Sequence, residues 1–225
     1  MKQNVIAIDG PAGAGKSTVA KMVAEKIGFV YIDTGAMYRA VTCRVLAEGI
    51  ELTNHAAISA LAGRISVRFN RGVAGLRVLA DGVDVTEAIR TPEVTAAVPH
   101  VSQVAAVRQA MVRLQQEMAA TGAVVLDGRD IGSVVAPDAC AKIFLTASVA
   151  ERARRRWQEM KQKGYEQDLA ALQQEIEQRD RQDSERELAP LVQAADAVLL
   201  DTTGMPIEAV VSGIVSIYQT RCGHV

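Results

Sequence analysis

Eight residues near the start constrain this chain more than any others. Gly10-Pro11-Ala12-Gly13-Ala14-Gly15-Lys16-Ser17 fits the spacing G-x-x-x-x-G-K-[ST]. A short β-prone run, Val5-Ile6-Ala7-Ile8, comes before it, and Val19, Ala20, Val23, Ala24 and Ile27 follow at helical spacing. An accidental glycine-rich turn would have no reason to sit between a strand and an amphipathic helix. Glycines let a backbone wrap a phosphate with its N–H groups turned inward, and the start of the following helix adds positive charge. Lys16 can reach β and γ phosphates, and the Ser17 hydroxyl can help hold Mg²⁺.

The surrounding pattern predicts an α/β fold. Phe29–Ile32 reads as a second strand and Ala36–Leu46 as a second helix, the rhythm of a parallel sheet with helices on both faces. Near residue 64 the rhythm breaks. Ile65–Phe69 and Leu76–Leu79 alternate, a glycine-containing turn lies between them, and Asp81-Gly82 turns the chain again, which predicts a small antiparallel insert. Residues 102–120 read as helix. Val124–Leu126, Ile143–Leu145 and Val198–Leu200 read as further core strands, and residues 206–219 as a closing helix with Pro206 in its first turn. The expected parts are a core over 1–35, 96–150 and 188–225, a region with the insert over 36–95, and a charged pair of helices over 151–187.

Bulk properties exclude several classes of function. A net charge of −1 gives no general affinity for nucleic acid or membranes, so basic residues that matter act locally. Cys43, Cys140 and Cys222 are far apart and form no C-x-x-C pair, so neither a disulfide framework nor a zinc site is expected and a reducing, cytoplasmic setting is. No apolar run approaches the ~18–20 residues of a membrane span.

Three further clusters carry candidate chemistry. Asp33-Thr34-Gly35-Ala36-Met37-Tyr38-Arg39 follows the second strand, at the edge where open α/β sheets bind ligands. Thr34 and Arg39 could grip an anion there, while Asp33 or Thr34 could equally be a helix cap. Asp127-Gly128-Arg129-Asp130 follows the third core strand; it is either a ligand loop or a solvated turn. Arg179, Asp183 and Arg186 fall at i, i+4 and i+7, and Arg152 and Arg156 are four apart. Both groups also suit surface ion-pair ladders.

Taken together, the stretches I-D-G-P-A-G-A-G-K-S-T, D-T-G-A-M-Y-R, D-G-R-D-I-G, K-I-F-L and R-D-R-Q-D-S-x-R resemble the bacterial cytidylate kinase family over essentially the whole chain. The resemblance implies a phosphate-loop kinase that makes CDP and dCDP from CMP and dCMP with ATP and Mg²⁺. Gly10, Pro11, Ala12, Gly13, Ala14, Gly15, Lys16, Ser17 and Thr18 would hold the ATP phosphates. Arg39, Arg129 and Arg186 would hold the CMP phosphate. Arg179 and Asp183 would contact the ribose, and Arg108 and Asp130 would read cytosine. Arg152 and Arg156 match lid arginines around the transferring group, the stretch 151–187 would be the lid, and the insert matches a monophosphate-binding insert. A monomer is expected, with no nucleic-acid or membrane partner. One position departs from the family: nine residues before Arg108, where a serine that contacts cytosine is common, stands Pro99. His100 and Ser102 are the nearest substitutes.

Two other readings compete. Dephospho-coenzyme A and thymidylate kinases share the phosphate loop but not the insert or D-G-R-D. A nucleotide-dependent switch that reads guanine would carry N-K-x-D, and neither Asn4, Asn54 nor Asn70 begins one.

Overall fold

The computed structural model describes residues 3–72, 75–162 and 164–223. Their contacts divide the chain into two compact units, Met1–Ile32 with Gln116–Val225, and Asp33–Gln115. The second unit thus runs past the expected boundary at residue 95.

A five-stranded sheet forms the framework, built from β1 (Gln3–Asp9), β2 (Val30–Asp33), β6 (Val124–Gly128), β7 (Ala139–Thr146) and β8 (Val198–Asp201) in the order β2-β6-β1-β7-β8. The pairings of β1 with β6 and β7, and of β7 with β8, are parallel. β1 is therefore central, and its Val5–Asp9 stretch is buried. Helices α1 (Lys16–Ile27) and α8 (Ile207–Cys222) cover one face. Val19, Val23, Val211 and Ile214 pack there against Ile6, Ile8, Ile143 and Leu145. Full burial of each such side chain contributes about 1.5–3 kcal/mol. A single π-helical turn, Ile131–Val135, packs against β1, β6 and β7.

After β7, α6 (Val149–Gln162) and α7 (Leu169–Glu185) pack on each other, the helix pair expected from the charge pattern. Asp168 caps α7 by accepting the Ala171 N–H at 2.9 Å. Arg186 is not on the helical face with Arg179 and Asp183; it is the residue just beyond the helix, in an extended conformation.

In the second unit, α2 (Thr34–Ala47) packs on α4 (Pro92–Ser102), and α3 (His55–Arg64) starts from an Asn54 cap. β3 (Val67–Gly72), β4 (Gly75–Ala80) and β5 (Val83–Asp84) form the expected antiparallel insert, with Val67 opposite Ala80 and Phe69 opposite Val78. Residues 73 and 74, in the turn between β3 and β4, lie outside the described residues.

Two expectations are corrected. The helix read over 102–120 is α5 (Ala105–Ala120), and the chain before it is a separate helix, α4. Pro99 hid α4, because an interior proline removes a backbone donor. Val94, Ala97, Val98 and Val101 are nonetheless buried along it. Cys140 and Cys222 are joined as a disulfide, their Cα atoms 5.7 Å apart, although 82 residues separate them in the chain. Strand β7 and the end of α8 meet in the core cluster, a proximity that sequence spacing does not encode.

Candidate active site

The phosphate loop leaves the C-terminal end of the central strand, where all five strand ends can present groups to a ligand. Gly10 has φ 151°, and a Cβ there would collide with the Leu145 carbonyl oxygen of β7, so only glycine lets the loop leave the sheet along this path. Gly15, at φ 85°, is the cap of α1. The first residue of that helix, Lys16, is buried and donates from Nζ to the Pro11 carbonyl at 2.7 Å. Burial pulls its ammonium down to about 7, and the Arg129 charge pulls the same way, against Asp127, Asp183 and Asp9.

Asp127, which the sequence reading left among the motif residues without a role, faces the loop. Ser17 Oγ donates to its Oδ2 at 2.7 Å and Tyr31 donates to its Oδ1 at 2.9 Å. The signal available in the sequence was an acid closing a short apolar run; that this strand adjoins the phosphate-loop strand, with Ile8 opposite Asp127, came only from the structure. A hydroxyl and a carboxylate side by side are the hard oxygen donors that Mg²⁺ prefers, so the donor set fits that ion.

The turn after β6 carries Arg129 and Asp130. Arg129 donates from Nε to Asp183 Oδ2 at 2.7 Å. Arg179 Nε stands 3.5 Å from the same oxygen, and Arg186 Nη1 stands 3.8 Å from Asp183 Oδ1. Arg186 also reaches Asp130 Oδ1 at 3.7 Å and donates to the Ala189 carbonyl at 2.6 Å. One buried carboxylate thus orients three guanidiniums. Burial would raise the Asp183 carboxyl, but Arg129 and Arg179 hold it below the usual carboxylate range. Burial pulls Arg179 down, and the charges of Arg129 and Arg156 add to that against Asp183. A phosphate would relieve this excess of positive charge.

The two expected lid arginines have different surroundings. Arg152 is buried; it pairs with Asp180 at 2.7 Å and donates to the Ala147 and Ala12 carbonyls, both at 2.9 Å. It therefore ties α6 to the phosphate loop. Arg156 is half-buried and, among the described residues, makes no ion pair. Arg155, which the sequence reading passed over, donates to Thr202 O at 2.8 Å, Thr202 Oγ1 at 3.1 Å and Ala14 O at 3.4 Å, and so joins the phosphate loop to the chain after β8.

The remaining candidates lie in the second unit. Asp33, not Thr34, caps α2, accepting the Ala36 N–H at 2.9 Å; Thr34 is buried in the first turn. Arg39 donates from Nη1 to Thr95 Oγ1 at 2.8 Å. Arg108 is buried with its guanidinium 5.5 Å from the centre of the Tyr38 ring. Pro99 is inside α4, and the Ser102 hydroxyl turns back to the Pro99 carbonyl at 3.4 Å.

Comparison with known proteins decides which family carries this arrangement. A family model described as cytidylate kinase matches residues 6–220. The chain belongs to the cytidylate kinase family. A cytidylate kinase of Desulforamulus reducens is 56% identical over 94% of this chain and 95% of that protein. One of Desulfitobacterium hafniense is 50% identical over 98% of this chain and 95% of its own length. Among solved structures, an uncharacterized protein from Eubacterium ventriosum superimposes with a TM-score of 0.54 at 13% identity, covering 98% of this chain and all of that one, a likeness of fold alone. Cytidylate kinase family membership accounts for a phosphate loop and an arginine cluster in one chain.

Proposed function

We propose that this chain transfers the γ-phosphoryl group of ATP to CMP and dCMP by direct in-line attack. A phosphate oxygen of the monophosphate bonds to the γ-phosphorus while the bond to the bridging β–γ oxygen breaks, giving CDP or dCDP and ADP. The observation that carries this reading is the pairing of a complete phosphate loop with arginines 129, 179 and 186 gathered on Asp183 in the same unit. The first suits a triphosphate and the second a separate phosphate anion.

The phosphate loop would hold the donor. Ser17 and Asp127 would hold Mg²⁺, which, when bound with ATP, supplies neutralising charge on the β and γ oxygens. Arg129 and Arg186, with Arg39, would orient the acceptor phosphate, Arg179 and Asp183 the ribose, and Arg108 and Asp130 the base. Lys16 and Arg156 would neutralise charge developing in transfer. Arg152 would contribute by ordering the loop through Ala12. A phosphate dianion needs no general base. The proposed compartment is the cytoplasm, since both substrates are intracellular nucleotides.

A panel of nucleoside monophosphates with ATP and Mg²⁺ tests the function. CMP and dCMP should each release ADP and the matching diphosphate in equal amounts. ADP formed without diphosphate would sink the reading.

The helices after β7 would close over the reaction and exclude water. Since Arg152 and Arg155 pin the first turns of α6, the moving part should begin beyond them. Hydrogen exchange should show residues 157–162 and 164–178 gaining protection when both nucleotides are present, and the first turn of α6 changing little. Equal protection of these residues with and without nucleotides would rule out this closure.

A further inference from the structure

We propose that Asp9 is a positioning residue for the acceptor side of the reaction, holding the turn that carries Arg129 and Asp130 in register with the phosphate loop. The inference rests on the kinase reading above. Asp9 is the last residue of β1 and stands directly before Gly10. It is 5% exposed, and both carboxylate oxygens are used: Oδ1 accepts the Ile131 N–H at 2.8 Å and Oδ2 accepts the Gly132 N–H at 2.7 Å. Two bonds from one rigid carboxylate to consecutive peptide N–H groups fix both the position and the tilt of that backbone.

Both ends of the Arg129–Asp130 segment depend on the same residue. Upstream, Gly128 is the strand partner of Asp9 in the β1–β6 pairing. Downstream, Ile131 and Gly132 hang on its side chain. Gly132 has no Cβ, and one placed there would lie 3.3 Å from Asp9 Oδ2 and 3.2 Å from Lys142 Cδ. A side chain there would push Asp9 or Lys142 aside by a few tenths of an ångström, so glycine suits the close approach. Among the described residues, the hydrogen bonds of this carboxylate go to backbone alone, with no ion pair. Burying a carboxylate this deeply without an ion pair is costly, with the two N–H bonds and the Lys16 charge in its favour, and a turn that only had to be stable could be held by a neutral group. A charged, two-point clamp next to the donor loop instead sets the distance between the groups that hold donor and acceptor, the quantity to which in-line transfer is most sensitive.

The test is Asp9→Asn, which keeps the shape but turns an amide NH₂ toward one of the two N–H groups. We expect kcat with CMP to fall about 10- to 100-fold, the range a displacement on the order of 1 Å produces. KM for CMP should rise and the melting temperature fall, since one buried N–H loses its acceptor, while the affinity for ATP alone, measured calorimetrically, stays near the parent value. CMP kinetics unchanged, or ATP affinity falling in step with CMP use, overturns the assignment. Gly132→Ala provides a second readout should Asp9→Asn not fold: it keeps the carboxylate, crowds the N–H contact, and is expected to lose on the CMP side only. Normal CMP kinetics in folded Gly132→Ala overturns the proposal equally. The parent protein is assayed alongside; its failure to make CDP would overturn the kinase reading itself, whereas an active parent with an indifferent Asp9→Asn overturns only the clamp.

Discussion

Replacing Lys16 with alanine lowers turnover of CMP by about 10²- to 10³-fold, the loss typical when one preorganised charge contact to a transition state is removed. Lys16 opens α1 and is buried, with its ammonium on the Pro11 carbonyl of its own loop. That bond keeps the group inside the loop, from which it can turn to a phosphate. Its acidity supports the same role: burial and the Arg129 charge pull the lysine down to about 7 even though Asp127, Asp183 and Asp9 act the other way, so a polyanion is the partner that would keep it protonated. The variant should stay folded, because a buried charge is removed and the core of α1 is untouched. Circular dichroism checks the fold and an ADP-coupled assay measures kcat. Near-parental turnover by a folded Lys16→Ala protein would sink the donor-site assignment.

The second large effect concerns which base is read. Cytosine offers an amino donor at position 4 and acceptors at N3 and O2. In the proposed scheme the Asp130 carboxylate accepts from that amino group and Arg108 donates to the acceptors. Uracil instead presents a carbonyl at position 4, so two acceptors would face each other in a desolvated site, with neither satisfied. Such a mismatch costs on the order of 2–4 kcal/mol, or about 30- to 1,000-fold in kcat/KM. CMP and dCMP should both exceed UMP by a factor in this range. Pro99 has no side-chain donor, and the Ser102 hydroxyl is turned to the Pro99 carbonyl, so the ratio should fall toward the lower end. Asp130→Asn should narrow the CMP-to-UMP ratio mainly by damaging CMP use. Because Asp130 is buried 3.7 Å from Arg186, its loss also disturbs the phosphate grip, which makes the ratio the informative quantity rather than either rate alone. Equal use of UMP and CMP by the parent protein, or an unchanged ratio in Asp130→Asn, would end this base-reading scheme while leaving phosphoryl transfer intact.

What could be read directly was whatever is local along the chain. The phosphate loop is one contiguous motif between a strand and a helix, and β1, β6 and β7 are short apolar runs whose burial shows in composition alone, whereas β8, read as a core strand, is the half-exposed edge of the sheet, with Leu199 56% exposed. The period-2 alternation of the insert and the charge pattern of α6 and α7 are equally local, and the structure contains both. Helix α4 was missed because Pro99 masks a buried stripe that is otherwise regular. The contacts that turn motifs into a site were not legible. Ser17 and Asp127 are 110 residues apart, Tyr31 and Asp127 are 96 apart, and Asp9 and Ile131 are 122 apart. The hydrophobic periods that define each strand are the same whichever strand lies beside it. Only the packed order β2-β6-β1-β7-β8 puts Asp127 next to the phosphate loop and Asp9 beneath the Arg129 turn. The sequence by itself determined the residue types, the elements and the phosphate loop, because those depend on neighbours along the chain. The tertiary structure decided which carboxylate faces Ser17 and that Arg152 and Arg155 are tied to the loop while Arg156, among the described residues, makes no ion pair, because those depend on strand order and burial.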